Sequence, residues 1–283
     1  MADELIAGKI KNIKTMERKF KKISGIKADK TIRFFGGIFF IFILAFMISC
    51  DNDDDSTPNG AGEIDHGVPC PEMPTITYEG QVYHTLIIGE QCWLEENLNV
   101  GAMINTLDTL QNDSIIQKYC YKNDPANCDI YGGLYTWHEI MEYSADTGSR
   151  GICPDGWHIP TDEDWKILEE TIDDHIKDSV AGWDTIGWRG SNAGGNLKHF
   201  GTEKWFNPNT AATDSKGFRA LPGGFRNFED GSFDKLQSTA FFWTSTAASD
   251  SAAWYRMFSY THADVYRSYS KTTNAFSVRC LKD

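Results

Sequence analysis

The chain has 283 residues, of which 41% are hydrophobic, 13% aromatic and 24% charged. That is enough apolar side chain for one or two globular domains and excludes a wholly disordered chain. Nine Pro and 25 Gly exclude collagen-like or low-complexity architecture, and a formal charge of −13 argues against nucleic acid as a partner, since a phosphate binder needs a basic footprint.

The charge is unevenly spread. Residues 1–50 carry ten Lys and Arg against four Asp and Glu, and the other 233 residues carry 17 against 36. The basic run Lys9–Arg33 precedes an apolar run, Phe34–Ile48, of about 15 residues. A bilayer span needs roughly twenty. Basic, apolar, then small residues is the order of a secretory signal, with an uncleaved membrane anchor as the alternative. Met16 offers a second translation start that would shorten the basic part. The segment Met47-Ile48-Ser49-Cys50 resembles the lipobox of bacterial lipoproteins. The resemblance implies that Cys50 becomes the lipidated first residue and anchors the protein to the membrane. The acidic Asp51–Asp55 resembles the signal that carries Bacteroidota lipoproteins to the outer face of the outer membrane, so surface exposure is expected, with the periplasmic face as the alternative. Residues 51–69 read as an acidic and polar tether without a core of its own, and residues 70–283 as the exported domain.

Seven Cys are present. With Cys50 lipidated, Cys70, Cys92, Cys120, Cys128, Cys153 and Cys280 remain, and an even number in an exported chain points to disulfides. Six Cys allow fifteen pairings. Cys120 and Cys128 flank the turn-rich YKNDPAN, Cys153–Cys280 would tie the middle of the domain to its last strand, and Cys70–Cys92 is the remainder. Buried free thiols are the alternative. No Cys or His spacing suits zinc.

Thr77–Asn99 reads as short strands punctuated by Glu79-Gly80 and Gly89-Glu90. Asn97–Lys118 reads as a surface loop with a short helix near Leu110. In Gly133–Tyr143 the spacing of Leu134, Trp137 and Met141 predicts a helix. The next helix is the clearest. Thr161 caps it, Asp164 completes the capping pattern, and Trp165, Leu168, Ile172 and Ile176 form the apolar stripe, with Asp162, Glu163, Glu169, Glu170, Asp173 and Asp174 mostly off it. From about Ala181 to Arg219 the chain reads as a long loop-rich insertion, where function is often carried. Short strands return from Gly217 onward. Strands, two helices, loops, then strands is an α+β order.

The segments WLEENLN, YCYKNDPANCDIYGGLYTW, CPDGWHIPTDEDWKILE, GFRALPGGFRN, FFWTSTAASDSAAWYRMF and FSVRCLKD occur in that order. Together they resemble the Fibrobacter succinogenes major paralogous domain, a family of exported bacterial proteins, from about Tyr78 to Asp283. GWHIPTDEDW and FSVRC are also similar to the C-type-lectin-like fold of formylglycine-generating enzymes and phage receptor-binding tips. The resemblance implies two helices, a twisted antiparallel sheet, a long loop region and terminal strands side by side, and it supports the Cys120–Cys128 and Cys153–Cys280 pairings. It brings no defined chemistry.

His138-Glu139-Ile140-Met141-Glu142 lacks the second His of a zinc clamp and reads as helix surface. Asp162–Asp164 favour a helix N-terminus rather than acid–base work. Asn123, Asp124, Asn127 and Asp129 offer oxygen ligands suited to calcium but equally make an Asx-rich turn, so no metal and no cofactor are assigned. The formylglycine-generating chemistry needs a redox Cys pair, and the six exported Cys are accounted for by bridges, so a catalyst is the weakest reading. The C-terminal cluster Trp254, Tyr255, Arg256, Tyr260, His262, Tyr266, Arg267 and Tyr269, interleaved with Ser and Thr, has the composition of binding hot spots. The expected function is therefore non-catalytic binding of a glycan or protein by a surface-anchored lipoprotein, with a structural envelope role as the alternative.

Overall fold

The computed structural model describes residues 67–105, 108, 112, 114–174 and 183–283. The lipobox Cys50, the acidic run Asp51–Asp55, Leu110 and Ile176 lie outside these residues. Everything described belongs to one compact unit, Gly60–Asp283. Among the described residues no helix is long and apolar enough to cross a membrane.

Strands β1 (Thr75–Tyr78), β2 (Gln81–Ile88) and β3 (Gln91–Leu94) form an antiparallel meander. Its first turn needs positive φ at both central residues, 49° at Glu79 and 76° at Gly80, the geometry that matches strand twist in two-residue hairpins. Short β4 (Ala102–Met103) and β5 (Gln117–Lys118) pair in parallel. The expected surface loop there is partly core, because Leu98, Val100 and the Lys118 side chain are buried.

Helix α1 (Pro125–Tyr131) begins on Asp124, whose Oδ1 accepts from the Ala126 amide at 3.0 Å, and Asn127 Nδ2 donates to the Tyr121 carbonyl at 2.9 Å. The Asx-rich turn reading therefore holds for these two side chains. The predicted helix at Gly133–Tyr143 shrinks to α2 (Trp137–Ile140), because β6 (Tyr135–Thr136) pairs with β14 (Ala275–Phe276). Glu139 is buried and accepts from the Gln117 amide at 2.7 Å, so it is not helix surface.

After β7 (Trp157–His158) comes α3 (Asp162–Ile172), with the full capping box between Thr161 and Asp164. Trp165, Leu168 and Ile172 pack on Leu86, Trp93, Phe218, Phe242 and Phe258. The insertion contains β8 (Gly187–Arg189) and α4 (Ala193–Leu197) and is tied in by buried Trp205 and Phe218. The chain closes with β9 (Gly223–Arg226), β10 (Phe233–Leu236), β11 (Thr239–Ser249), β12 (Ala252–Ser259), β13 (Val265–Lys271), β14 and β15 (Leu281–Lys282).

Three antiparallel sheets result, in the orders β1-β2-β3-β15-β7, β10-β9-β14-β6 and β11-β12-β13-β8. The architecture is α+β, mostly β, with four α-helices among the described residues. The last strand lies between β3 and β7. Disulfides join Cys70–Cys92, Cys120–Cys128 and Cys153–Cys280, so none of the six is a free thiol.

Candidate ligand-binding face

The third sheet carries the C-terminal cluster, and its register separates residues that look alike in sequence. Directly opposed residues in an antiparallel pair share a face. On one face Met257 opposes Tyr266, which opposes Trp188. On the other, Arg256 opposes Arg267, and Val265 opposes Arg189.

This second face lies against α3. Arg256 is 0% exposed, and its guanidinium donates to Asp162 Oδ1 at 2.7 Å and to Glu169. Arg267 donates to Asp162 Oδ2 at 2.6 Å, and Arg189 to Glu169 Oε2 at 2.6 Å. Burial alone would raise the Asp162 carboxyl, but hydrogen bonds from Arg267 and the charge of Arg256 overcome it and hold the group ionised, well below the usual carboxylate range. Burial pulls Arg189 down to about 10 against the charge of Glu169. Three guanidiniums thus neutralise two helix acids inside the domain. Arg256 and Arg267 are not ligand contacts, because their donors serve this network. Asp162 and Glu169 are not solvated helix surface for the same reason.

Tyr255 is half-buried and stands on the same face as Met257 and Tyr266. Its ring packs on Phe241, Trp243 and Phe276, and burial pushes its hydroxyl up to about 12. Trp254 and Tyr269 meet edge-on at 5.6 Å, with the Arg267 guanidinium 3.5 Å from the Trp254 ring centre. Tyr269 is 53% exposed but lies on the face opposite Tyr266. Tyr260 packs edge-on against Phe206.

His262 and Tyr266 remain, and they meet a residue that the sequence did not single out. The His262 ring stacks on Trp188 at 3.7 Å and 4°, and Tyr266 meets Trp188 edge-on at 5.1 Å. All three are half-buried. Trp188 comes from the insertion, where the Gly-flanked single aromatic GWR was the available signal.

The loop carrying His262 is held from beneath. Lys198, fully buried, donates to the carbonyls of Thr210 at 2.9 Å, Ser259 at 2.9 Å and His262 at 2.7 Å. Desolvation lowers its amine to about 8. A Cβ on Gly194 would lie 2.3 Å from the Asp264 carbonyl oxygen, so only Gly lets α4 come this close. Gly195 then donates to the Ala263 carbonyl at 2.7 Å. The aromatic face is therefore preorganised.

Ligand atoms of His84, Glu95 and Glu96 lie within 4.8 Å of one another. Both acids already have side-chain partners. His84 Nδ1 lies 2.6 Å from Glu96 Oε1, and Arg219 Nη1 lies 2.6 Å from Glu95 Oε1.

The chain matches the family model of the Fibrobacter succinogenes major domain over residues 86–282. It belongs to this family. No curated protein and no solved structure matches it. The Fibrobacter succinogenes major domain here spans both faces of the third sheet, the insertion that supplies Trp188 and Lys198, and two of the three disulfides, Cys120–Cys128 and Cys153–Cys280.

Proposed function

We propose that this protein is a lipoprotein anchored through Cys50, displayed on the outer face of the outer membrane, whose C-type-lectin-like domain binds a glycan or protein without catalysing a reaction. The observation that carries the binding part is the Trp188–His262–Tyr266 stack on a loop fixed by Lys198. Rigid aromatic rings offer large contact area at low entropic cost, and a flat ring suits the apolar face of a sugar. Serine and threonine hydroxyls at Ser259, Thr261 and Ser268 border it, with Thr261 Oγ1 3.0 Å from His262 Nδ1. The lectin-like reading draws on the adjacent β3 and β15, the long α3 and the ordered insertion. The full pairing of the six described Cys supports a non-catalytic role over a relative of the formylglycine-generating enzymes.

The test has two arms. Protease treatment of intact cells removes the domain from immunoblots, and survival until the outer membrane is permeabilised places it in the periplasm instead. On glycan and host-protein arrays, Trp188→Ala or Tyr266→Ala weakens the signal by at least about tenfold, roughly 1.4 kcal/mol. Unchanged binding by both folded variants removes the site assignment, and arrays that stay blank while gene deletion alters the envelope favour the structural role.

A further inference from the structure

Strand β1 is an edge of the first sheet, and among the described residues no strand pairs with its outer side. Its register shows which backbone groups that leaves. Tyr78 opposes Gln81 across the two-residue turn, Ile76 opposes Tyr83, and Thr85 N donates to the Pro74 carbonyl at 3.1 Å. Alternate residues of an antiparallel strand bond to its partner, so Pro74, Ile76 and Tyr78 face β2. Thr75 and Thr77 turn their N–H and C=O groups outward, and both residues are exposed. Donors and acceptors presented in this way at strand spacing are met by the backbone of another strand.

A cleft of about 540 Å³ lies beside this edge. Register carries one face across the sheet, from Ile76 and Tyr83 through Cys92 to Lys282 and Trp157, so Ile76, Tyr78 and Trp157 line the cleft together. Thr77 has its side chain on the other face and still lines the cleft, so the opening reaches the outward edge of β1. Met73, Ile76, Tyr78 and Ile116 are half-buried against the core and make the floor apolar. The rim is acidic. Glu79, Glu142 and Asp155 are exposed there beside one cation, Arg150, whose guanidinium lies 2.7 Å from Asp155 Oδ1 and 3.3 Å from Glu142 Oε2. Three carboxylates less one guanidinium leave a net charge of −2. Burial and then the charge of Glu79 raise the Tyr78 hydroxyl, and Glu142 and Asp155 add to this against Arg150, which marks the field over the floor as negative. An apolar floor under an acidic rim suits side chains with an apolar stem and a cationic head, Lys and Arg. A second copy of this chain is a poor match, because residues 51–283 carry 17 Lys and Arg against 36 Asp and Glu and would set acid against acid.

We propose that β1 is a docking edge for an extended basic segment of another protein, which adds to it as an antiparallel strand and lays alternate Lys or Arg side chains across the cleft. The surface belongs to a different sheet from the Trp188 face and stands if that face binds nothing.

The probe is the end-blocked peptide Lys-Val-Lys-Val-Lys, titrated into the purified protein by calorimetry and followed by amide hydrogen exchange. In the antiparallel register its valines oppose Thr75 and Thr77, and its lysines face the cleft. Saturable binding is expected, with slowed exchange at the Thr75 and Thr77 amides. The peptide Glu-Val-Glu-Val-Glu, and the basic peptide N-methylated at both valines, should each bind at least about tenfold more weakly. Thr77→Pro removes an outward donor while leaving the bonds to β2 intact, and should weaken the basic peptide at least about tenfold. Glu79→Gln keeps the test open if Thr77→Pro fails to fold, and should weaken binding severalfold. No saturation, equal binding of the acidic or N-methylated peptide, or slowed exchange confined to the Trp188 face overturns the proposal. Slowed exchange at Thr75 and Thr77 that develops without peptide, as the protein is concentrated, overturns it in favour of a second copy.

Discussion

Asp214 shows how far one buried group departs from its exposed behaviour. Burial outweighs the hydrogen bond from the Arg219 amide and the charges of Arg219 and Arg279, and pushes the carboxyl up to about 6. The native state therefore holds a proton between pH 3.8 and about 6 that the unfolded chain has released. Its contribution to stability is full below about 3.8 and disappears as pH rises through 6, an effect on the order of 3 kcal/mol. Asp162 acts in the opposite sense, since its depressed carboxyl stabilises the fold above about pH 4 and loses that contribution as pH falls. Urea midpoints measured from pH 7.5 to 4 should therefore rise less for Asp214→Asn than for the parent chain, and parallel curves would refute the assignment. At this scale the sequence was least legible. Arg256 and Arg267 share their neighbourhood with Tyr, Ser and Thr, as binding residues do. The acid that buries both, Asp162, lies 94 and 105 residues away, a separation with no local trace.

Helix α3 was the most legible element, in its capping box and in the stripe through Ile172. The same spacing also held the clue to the ion network. Asp162 and Glu169 are seven apart and fall in line with Trp165 and Ile172, at i, i+3, i+7 and i+10, so both acids point where the core does. Reading charge alone sends them to solvent. Reading position sends them inward and demands buried cations to meet them. Removing one partner of such a pair leaves an uncompensated charge, so Arg256→Met should cost about 3–5 kcal/mol in urea unfolding, and a loss below about 1 would mean the network is solvated. The shortened α2 has the opposite lesson. Leu134, Trp137 and Met141 are all buried, as the helical spacing implied, yet cross-strand pairing of Tyr135 and Thr136 claims the first turn. Periodicity reports burial before it reports conformation.

For the whole molecule, the α+β order and the three disulfides were within reach of the sequence, because cysteine parity and strand texture are global properties. The packing of the insertion was not, since Lys198 is fixed by the carbonyls of Ser259 and His262, more than sixty residues away. The bridges differ in what they close. Cys153–Cys280 spans 127 residues and Cys120–Cys128 spans 8. By loop-closure entropy, removing the first should cost about 5 kcal/mol and the second about 2.5. Paired Cys→Ala variants compared by denaturant unfolding test this ranking, and equal losses would show that local packing, rather than chain entropy, sets the contribution.

The position of β15 has a consequence for how the domain comes into being. Residues at the far end of the chain occupy the middle of the first sheet, and Arg279 reaches Asn97 across 182 residues of sequence. The early meander β1-β2-β3 therefore waits with an open edge at β3 until the final strand arrives. Folding that depends on such distant pairings is slow, so the first sheet of this domain should be among the last parts of it to close.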